Sequence, residues 1–196
     1  STLSPVLLIT NGKVMSSLGT ASPFFQVISD NPQASTYGAL PLPIGNAPVG
    51  LVSGDFNGDG SLDIAVAVSG DNQVNVISSD GMGGFLPPAS YPVSGASAII
   101  SNDFNGDGYL DLAVNDYSGG KVLVLLGTSN GLFGAATSFN SGANTVHLAS
   151  ADINKDGYQD IVVANEGDNV IGIMLGDGIG GFASPVTYAV GLAPKE

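Results

Sequence analysis

Apolar positions along this chain recur at a period of two, in runs too short to form helices. The clearest run is Leu62 to Ser69, where Ile64, Val66 and Val68 alternate with Asp63, Ala65 and Ala67. That spacing puts each set on one face of a β-strand. Pro48 to Gly54 is apolar ahead of it, and Gly70-Asp71-Asn72 reads as a turn behind it. Val74 to Ser79, a turn at Gly81 to Gly84, and the proline-containing Phe85 to Val93 follow. Four short strands joined by tight turns are predicted. Pro87, Pro88 and Pro92 suit an edge strand, where a missing N–H costs least. No segment carries a helical stripe, so the fold class expected is all-β.

The same pattern returns along the chain. Asp55-Phe-Asn-Gly-Asp-Gly-Ser-Leu-Asp63, Asp103-Phe-Asn-Gly-Asp-Gly-Tyr-Leu-Asp111 and Asp152-Ile-Asn-Lys-Asp-Gly-Tyr-Gln-Asp160 superpose, their first aspartates 48 and 49 residues apart. Val74, Val122 and Val170 open equivalent apolar runs, and each run ends in a Gly-rich turn with Phe85, Phe133 or Phe182. Units of this length, each of four strands, predict a β-propeller of antiparallel blades, for which four to eight blades are usual. The units fall at about 1–44 (partial), 45–94, 95–141 and 142–190, in a single domain over 1–196. In the leading unit, Gly12 to Thr20 aligns with Gly120 to Thr128. Lys13 to Leu18 is then a third strand, Val6 to Thr10 a second, and the stretch after Phe25 a fourth. Residues 191–196 align with the start of a first strand. About four blades are therefore expected, one of them split between the termini. Ends that fail to close on one molecule would instead join chain to chain.

Each marker loop has the form Asp-x-Asn-x-Asp-Gly-x-x-Asp. Positions 1, 3, 5 and 9 carry hard oxygen donors, position 7 can add its main-chain carbonyl, and glycine at position 6 permits a sharp turn. Six or seven oxygens at about 2.3–2.6 Å suit Ca²⁺, whereas Mg²⁺ holds its waters in a stricter octahedron and Zn²⁺ would call for His or Cys. Three sites are expected: Asp55, Asn57, Asp59, Ser61 and Asp63; Asp103, Asn105, Asp107, Tyr109 and Asp111; and Asp152, Asn154, Asp156, Tyr158 and Asp160. Asp, Asn and Gly also cluster in metal-free turns for backbone reasons alone. Three copies at fixed spacing, each with three aspartates, favour the metal.

The loops resemble an EF-hand up to position 9, but Val66, Val114 and Val163 stand where its bidentate Glu would fall, and a strand follows in place of a helix. With these loops and spacing, residues 45–191 resemble the FG-GAP (VCBS-type) repeat family, the calcium-loop blades of integrin α-subunit propellers and of many secreted microbial proteins. The family's Phe-Gly and Gly-Ala-Pro element is degenerate here, as Gly84-Phe85, Phe133-Gly134 and Gly181-Phe182. The resemblance implies partner binding on the rim opposite the calcium loops.

Composition narrows the function. Seventeen acids face four lysines and no arginine, for a formal charge of −13, which argues against nucleic acid and against basic docking on membranes. No apolar run approaches the roughly 20 residues of a membrane-spanning helix. Cysteine is absent, so disulfides and thiolate chemistry are excluded. Ser1 opens without Met or a signal-type segment, which points to a processed chain. Nine of the acids lie in the three loops, and three Ca²⁺ would bring the charge to about −7.

No enzyme is expected. His147, the sole histidine, precedes Leu148-Ala149 and reads as a strand residue. Asp71, Asp116, Glu166 and Asp168 read as solvated residues of the turns between second and third strands, with Asn72, Asn115, Tyr117, Asn165 and Asn169 beside them. The function expected is an extracellular or cell-surface, calcium-binding, non-enzymatic adhesion or scaffold module. Two alternatives are a filament subunit joined by strand complementation between chains and a lectin-like carbohydrate binder, the latter disfavoured by the absence of tryptophan for sugar stacking.

Overall fold

A computed structural model describes residues 42–194, together with the strands Val6–Thr10, Lys13–Ser16 and Phe24–Ile28. No described residue is helical, and no helix among them is long and apolar enough to cross a membrane. Three sheets repeat one design. β5 (Pro48–Gly54), β6 (Asp63–Val68), β7 (Gln73–Ile77) and β8 (Ala89–Pro92) form the first. β9 (Ala96–Asn102), β10 (Asp111–Asp116), β11 (Lys121–Leu125) and β12 (Thr137–Asn140) form the second. β13 (Thr145–Ala151), β14 (Asp160–Asn165), β15 (Val170–Met174) and β16 (Val186–Ala189) form the third. Every pairing in these sheets is antiparallel and between sequence neighbours. β8 holds Pro92 at the sheet edge, as its missing N–H requires.

Alternation on the second strands explains how the sheets stack. Ala65 and Ala67 on β6 lie in one core with Leu112 and Val114 on β10. Ala113 on β10 lies in the next with Ile161 and Val163 on β14. Each sheet thus turns a small-residue front toward the large-residue back of its successor, and the volumes interlock. Aromatic rings seal both interfaces edge to face. Phe133 meets Phe56 at 5.6 Å and Tyr91 at 5.5 Å, and Phe182 meets Phe104 and Phe139 at 5.5 Å each. Ile64, Val66, Val68 and Ile77, on the back of the first sheet, form a third cluster with Ile44, and Leu42 packs against it.

The leading sheet departs from expectation. β1 (Val6–Thr10) pairs with β2 (Lys13–Ser16), as second and third strands should. β3 (Phe24–Ile28), expected as a fourth strand on the far side of β2, pairs instead with β1 in parallel, and β4 (Leu42–Pro43) adds to β3. The place reserved for a first strand from the C-terminus is therefore taken by β3. Gly191–Ala193 form bends and Pro194 follows them, all outside any strand, and 195–196 lie outside the described residues.

Candidate metal loops and the opposite rim

The three loops share one hydrogen-bonding scheme, and each is closed by its own main chain. In the first, Asp55 Oδ1 accepts from the Gly58 and Asp59 N–H groups at 2.8 and 3.1 Å, and Oδ2 accepts from Gly60 N–H at 2.9 Å. Asn57 Oδ1 accepts from Asp59 N–H at 2.9 Å, and Asp59 Oδ1 from Ser61 N–H at 2.7 Å. Asp103, Asn105 and Asp107 repeat the pattern. Asp152, Asn154 and Asp156 do so with one bond fewer. Gly60 and Gly108 take φ of +84° and +87° at position 6, a conformation glycine adopts without strain.

Position 9 behaves differently. Asp63, Asp111 and Asp160 are fully buried beneath their loops. Asp63 Oδ2 accepts from Phe56 N–H at 3.1 Å and Oδ1 from Ser79 N–H at 2.8 Å. Asp111 does the same for Phe104 and Gly127, and Asp160 for Ile153 and Gly176. This aspartate ties the loop to the turn after the third strand. The tie to Ser79, Gly127 and Gly176 escaped the sequence reading. Its visible sign was the recurring Gly-rich turn ending in Phe, which the structure closes by the bridges Ser79–Phe85, Gly127–Phe133 and Gly176–Phe182. Burial pushes the Asp111 carboxyl up to about 6 and raises that of Asp63. The Ser61 N–H holds Asp59 below its ordinary value.

The donor set suits a hard cation in chemistry: every side-chain donor is oxygen, and each position-9 carboxylate oxygen accepts one bond and keeps a lone pair. As the side chains lie, no three His, Cys, Asp or Glu among the described residues converge as a metal-holding group.

At the other end of the second strands, the rim acids prove to be clamps. Asp71 accepts from both the main-chain and side-chain N–H groups of Asn46 at 2.8 Å, and these bonds hold its carboxyl below the ordinary value. Asp168 accepts from Ala143 N–H at 2.9 Å, and Asp116 from Gly119 N–H at 2.7 Å. Asn115 and Asn165 are fully buried. Asn115 bridges Ala98 N–H and the Thr145 carbonyl, whereas Asn165 donates to the Ser141 carbonyl at 2.7 Å. Both are spent on structure. Asn72 and Tyr117 remain exposed, as does His147 on β13.

Residues 103–163 match the model of the FG-GAP-like repeat. They take in the second loop, β10 to β13, and the third loop with most of β14. No curated protein matches the chain in sequence. Among solved structures it is similar to a lectin of Agrocybe aegerita that recognises non-reducing terminal N-acetylglucosamine. The two are 22% identical with a TM-score of 0.50, over 68% of this chain and 36% of the lectin chain. It is also similar to a chain of the Photorhabdus luminescens Tc holotoxin pore, 24% identical with a TM-score of 0.46, over 71% of this chain and 7% of that one. The chain spans little more than a third of the lectin and a small fraction of the toxin. The likeness to the lectin is one of fold, a propeller-like stacking of sheets.

Proposed function

We propose that this chain is a calcium-loaded propeller module acting outside the cell as a non-enzymatic scaffold or adhesion surface. The observation that supports the reading is the threefold loop, with oxygen-only donors pre-shaped by the loop's own N–H groups. Ca²⁺ would be held by Asp55, Asn57, Asp59, the Ser61 carbonyl and Asp63, and by the equivalent residues from Asp103 to Asp111 and from Asp152 to Asp160. Bound calcium supplies the positive charge that offsets three neighbouring carboxylates at each loop. Sites of weak or moderate affinity stay filled at millimolar extracellular calcium, which supports the location. Against enzymatic chemistry, three of the acids outside the loops, Asp71, Asp116 and Asp168, are engaged as turn clamps.

Thermal melting in calcium and in chelator tests this. One site at a hundred times its Kd contributes about 2.7 kcal/mol, which for a chain of this size raises Tm by about 5–10 °C. An unchanged midpoint overturns the calcium reading.

A second reading, a glycan-binding rim, is favoured by the lectin-like fold and by the exposed Asn72 and Tyr117. A glycan array tests it, with binding lost in Tyr117→Ala as the supporting result.

A further inference from the structure

Two of the three loops carry an Asn-Gly pair at positions 3 and 4, Asn57-Gly58 and Asn105-Gly106, where the third carries Asn154-Lys155. Asparagine before glycine is prone to ring closure, because no Cβ obstructs the following nitrogen as it nears the side-chain amide carbon. Three polar contacts surround each pair. Gly58 N–H, on the nitrogen that would attack, donates to Asp55 Oδ1 at 2.8 Å. Asn57 Oδ1, the oxygen that would gather charge, accepts from Asp59 N–H at 2.9 Å. Asn57 Nδ2, the nitrogen that would depart, donates to Asp59 Oδ2 at 3.1 Å. In the second loop Gly106 N–H donates to Asp103 Oδ1 at 2.7 Å, Asp107 N–H to Asn105 Oδ1 at 3.0 Å, and Asn105 Nδ2 to Asp107 Oδ2 at 2.9 Å. A base at the nucleophile, a donor at the carbonyl oxygen and an anchor on the leaving group are the parts such a step requires.

Two other asparagines show what sets these apart. Asn154 keeps the carbonyl and amide contacts with Asp156, at 2.9 and 2.7 Å. Lys155 follows it, and the bond from position 4 to the first aspartate is the one this loop lacks. Asn130-Gly131 has the glycine, but Gly131 N–H donates to the Thr128 carbonyl at 2.9 Å, and a carbonyl is no base. Gly58 and Gly106 are exposed, and a Cβ built on Gly58 would meet nothing within 4 Å, so water reaches the ring once it forms.

We infer that Asn57 and Asn105 convert themselves to aspartate and isoaspartate. Gly58 N bonds to Asn57 Cγ, and its proton passes by way of Asp55 to Nδ2, which leaves as ammonia when the Cγ–Nδ2 bond breaks. Water then adds to either carbonyl of the succinimide, giving aspartate by one opening and isoaspartate by the other. Asn105 follows the same course through Gly106 and Asp103. Each conversion adds a fourth carboxylate to a loop that holds three, and isoaspartate also lengthens the main chain by one methylene. The first two loops therefore change with age while the third keeps its amide.

The test holds the whole chain at neutral pH and body temperature for several weeks, in chelator so that the outcome does not depend on calcium. Peptide mapping by mass spectrometry reads the amide-to-acid mass gain at each asparagine, and labelling by an isoaspartyl methyltransferase reads the isoaspartate. Asn57 and Asn105 are expected to convert at least about tenfold faster than Asn130 or Asn154. In urea, where the contacts are lost, the three Asn-Gly pairs should convert at one common rate. Asp55→Asn should slow Asn57 by about tenfold or more, while Asn105 in the same molecules keeps its rate and reports that the fold holds. Lys155→Gly, which supplies the missing glycine, should bring Asn154 into the converting set. Intact Asn57 and Asn105, or conversion of Asn130 as fast as theirs, overturns the proposal. So does an unchanged rate at Asn57 in Asp55→Asn, or a difference between Asn-Gly pairs that persists in urea, which would assign it to the flanking residues.

Discussion

The second and third loops share a sequence pattern and a hydrogen-bonding scheme, yet their surroundings differ. Phe104, at position 2 of the second loop, is 1% exposed beneath Phe182, whereas Ile153 in the third is 41% exposed. At position 4, Gly106 takes φ of +73° and gives its N–H to Asp103 Oδ1 at 2.7 Å. Lys155 is held at φ of +64°, a region that side-chain-bearing residues enter at a cost. The second loop also abuts the next unit's turn, since a Cβ built on Gly106 would lie 3.7 Å from the Gly178 carbonyl oxygen. The loop's shape is local, but its tightness comes from the unit that follows, and the third loop has no such neighbour among the described residues.

Truncation should widen this contrast most. Phe104→Ala is expected to cost about 3–5 kcal/mol by emptying a buried aromatic site, and Ile153→Ala less than about 1 kcal/mol. Urea denaturation measures both, and equal losses would break the comparison. Asp111→Ala strands the Phe104 and Gly127 N–H groups in the interior, at about 2–4 kcal/mol. Asp160→Ala should cost less, because exposed Ile153 lets water reach its freed N–H.

Acid sharpens the picture of the second loop. With calcium chelated, the stability tied to neutral Asp111 is fully present below about 3.8 and is lost as pH rises through about 6. The chelated protein is therefore expected to be more stable near pH 5 than at pH 7.5, by about 1 kcal/mol after allowance for screening. Asp63 shifts in the same direction. Asp59 and Asp71 shift the other way, but both are solvent-screened. Calcium should reverse the dependence, since it holds the carboxylates ionised. Melting curves at the two pH values, each with and without chelator, decide it. The smallest effect belongs to Lys155→Gly, expected to stabilise by about 0.5 kcal/mol as relief of the left-handed backbone outweighs glycine's greater freedom when unfolded.

The repeated sheets were legible because alternation and turn chemistry act over a few residues. Pro48–Gly54 forms β5 with the expected bounds, and Leu62–Ser69 encloses β6. The leading sheet was not legible, because the choice between pairing β3 with β1 or with β2 depends on a connection that no local rule constrains. The loops were recognisable as cation-type sequences from donor identity and spacing. That position 9 lies beneath the loop was hidden, since it depends on main-chain donors at Ser79, Gly127 and Gly176, far along the chain. Nor could sequence separate buried Asn115 and Asn165 from exposed Asn72, because depth at the rim is set by the neighbouring sheet.

Pairing between sequence neighbours alone bears on how the chain acquires its structure. Each hairpin of the three full sheets closes a short loop, so the entropy of ordering is met locally before any distant contact forms. Units then couple only to the ones beside them, as in a one-dimensional array. Among the described residues the last sheet is coupled on one side alone, so it should open first, and amide hydrogens of β14 and β15 should exchange before their counterparts on β10 and β11. Unfolding would then run along the stack from its uncovered end.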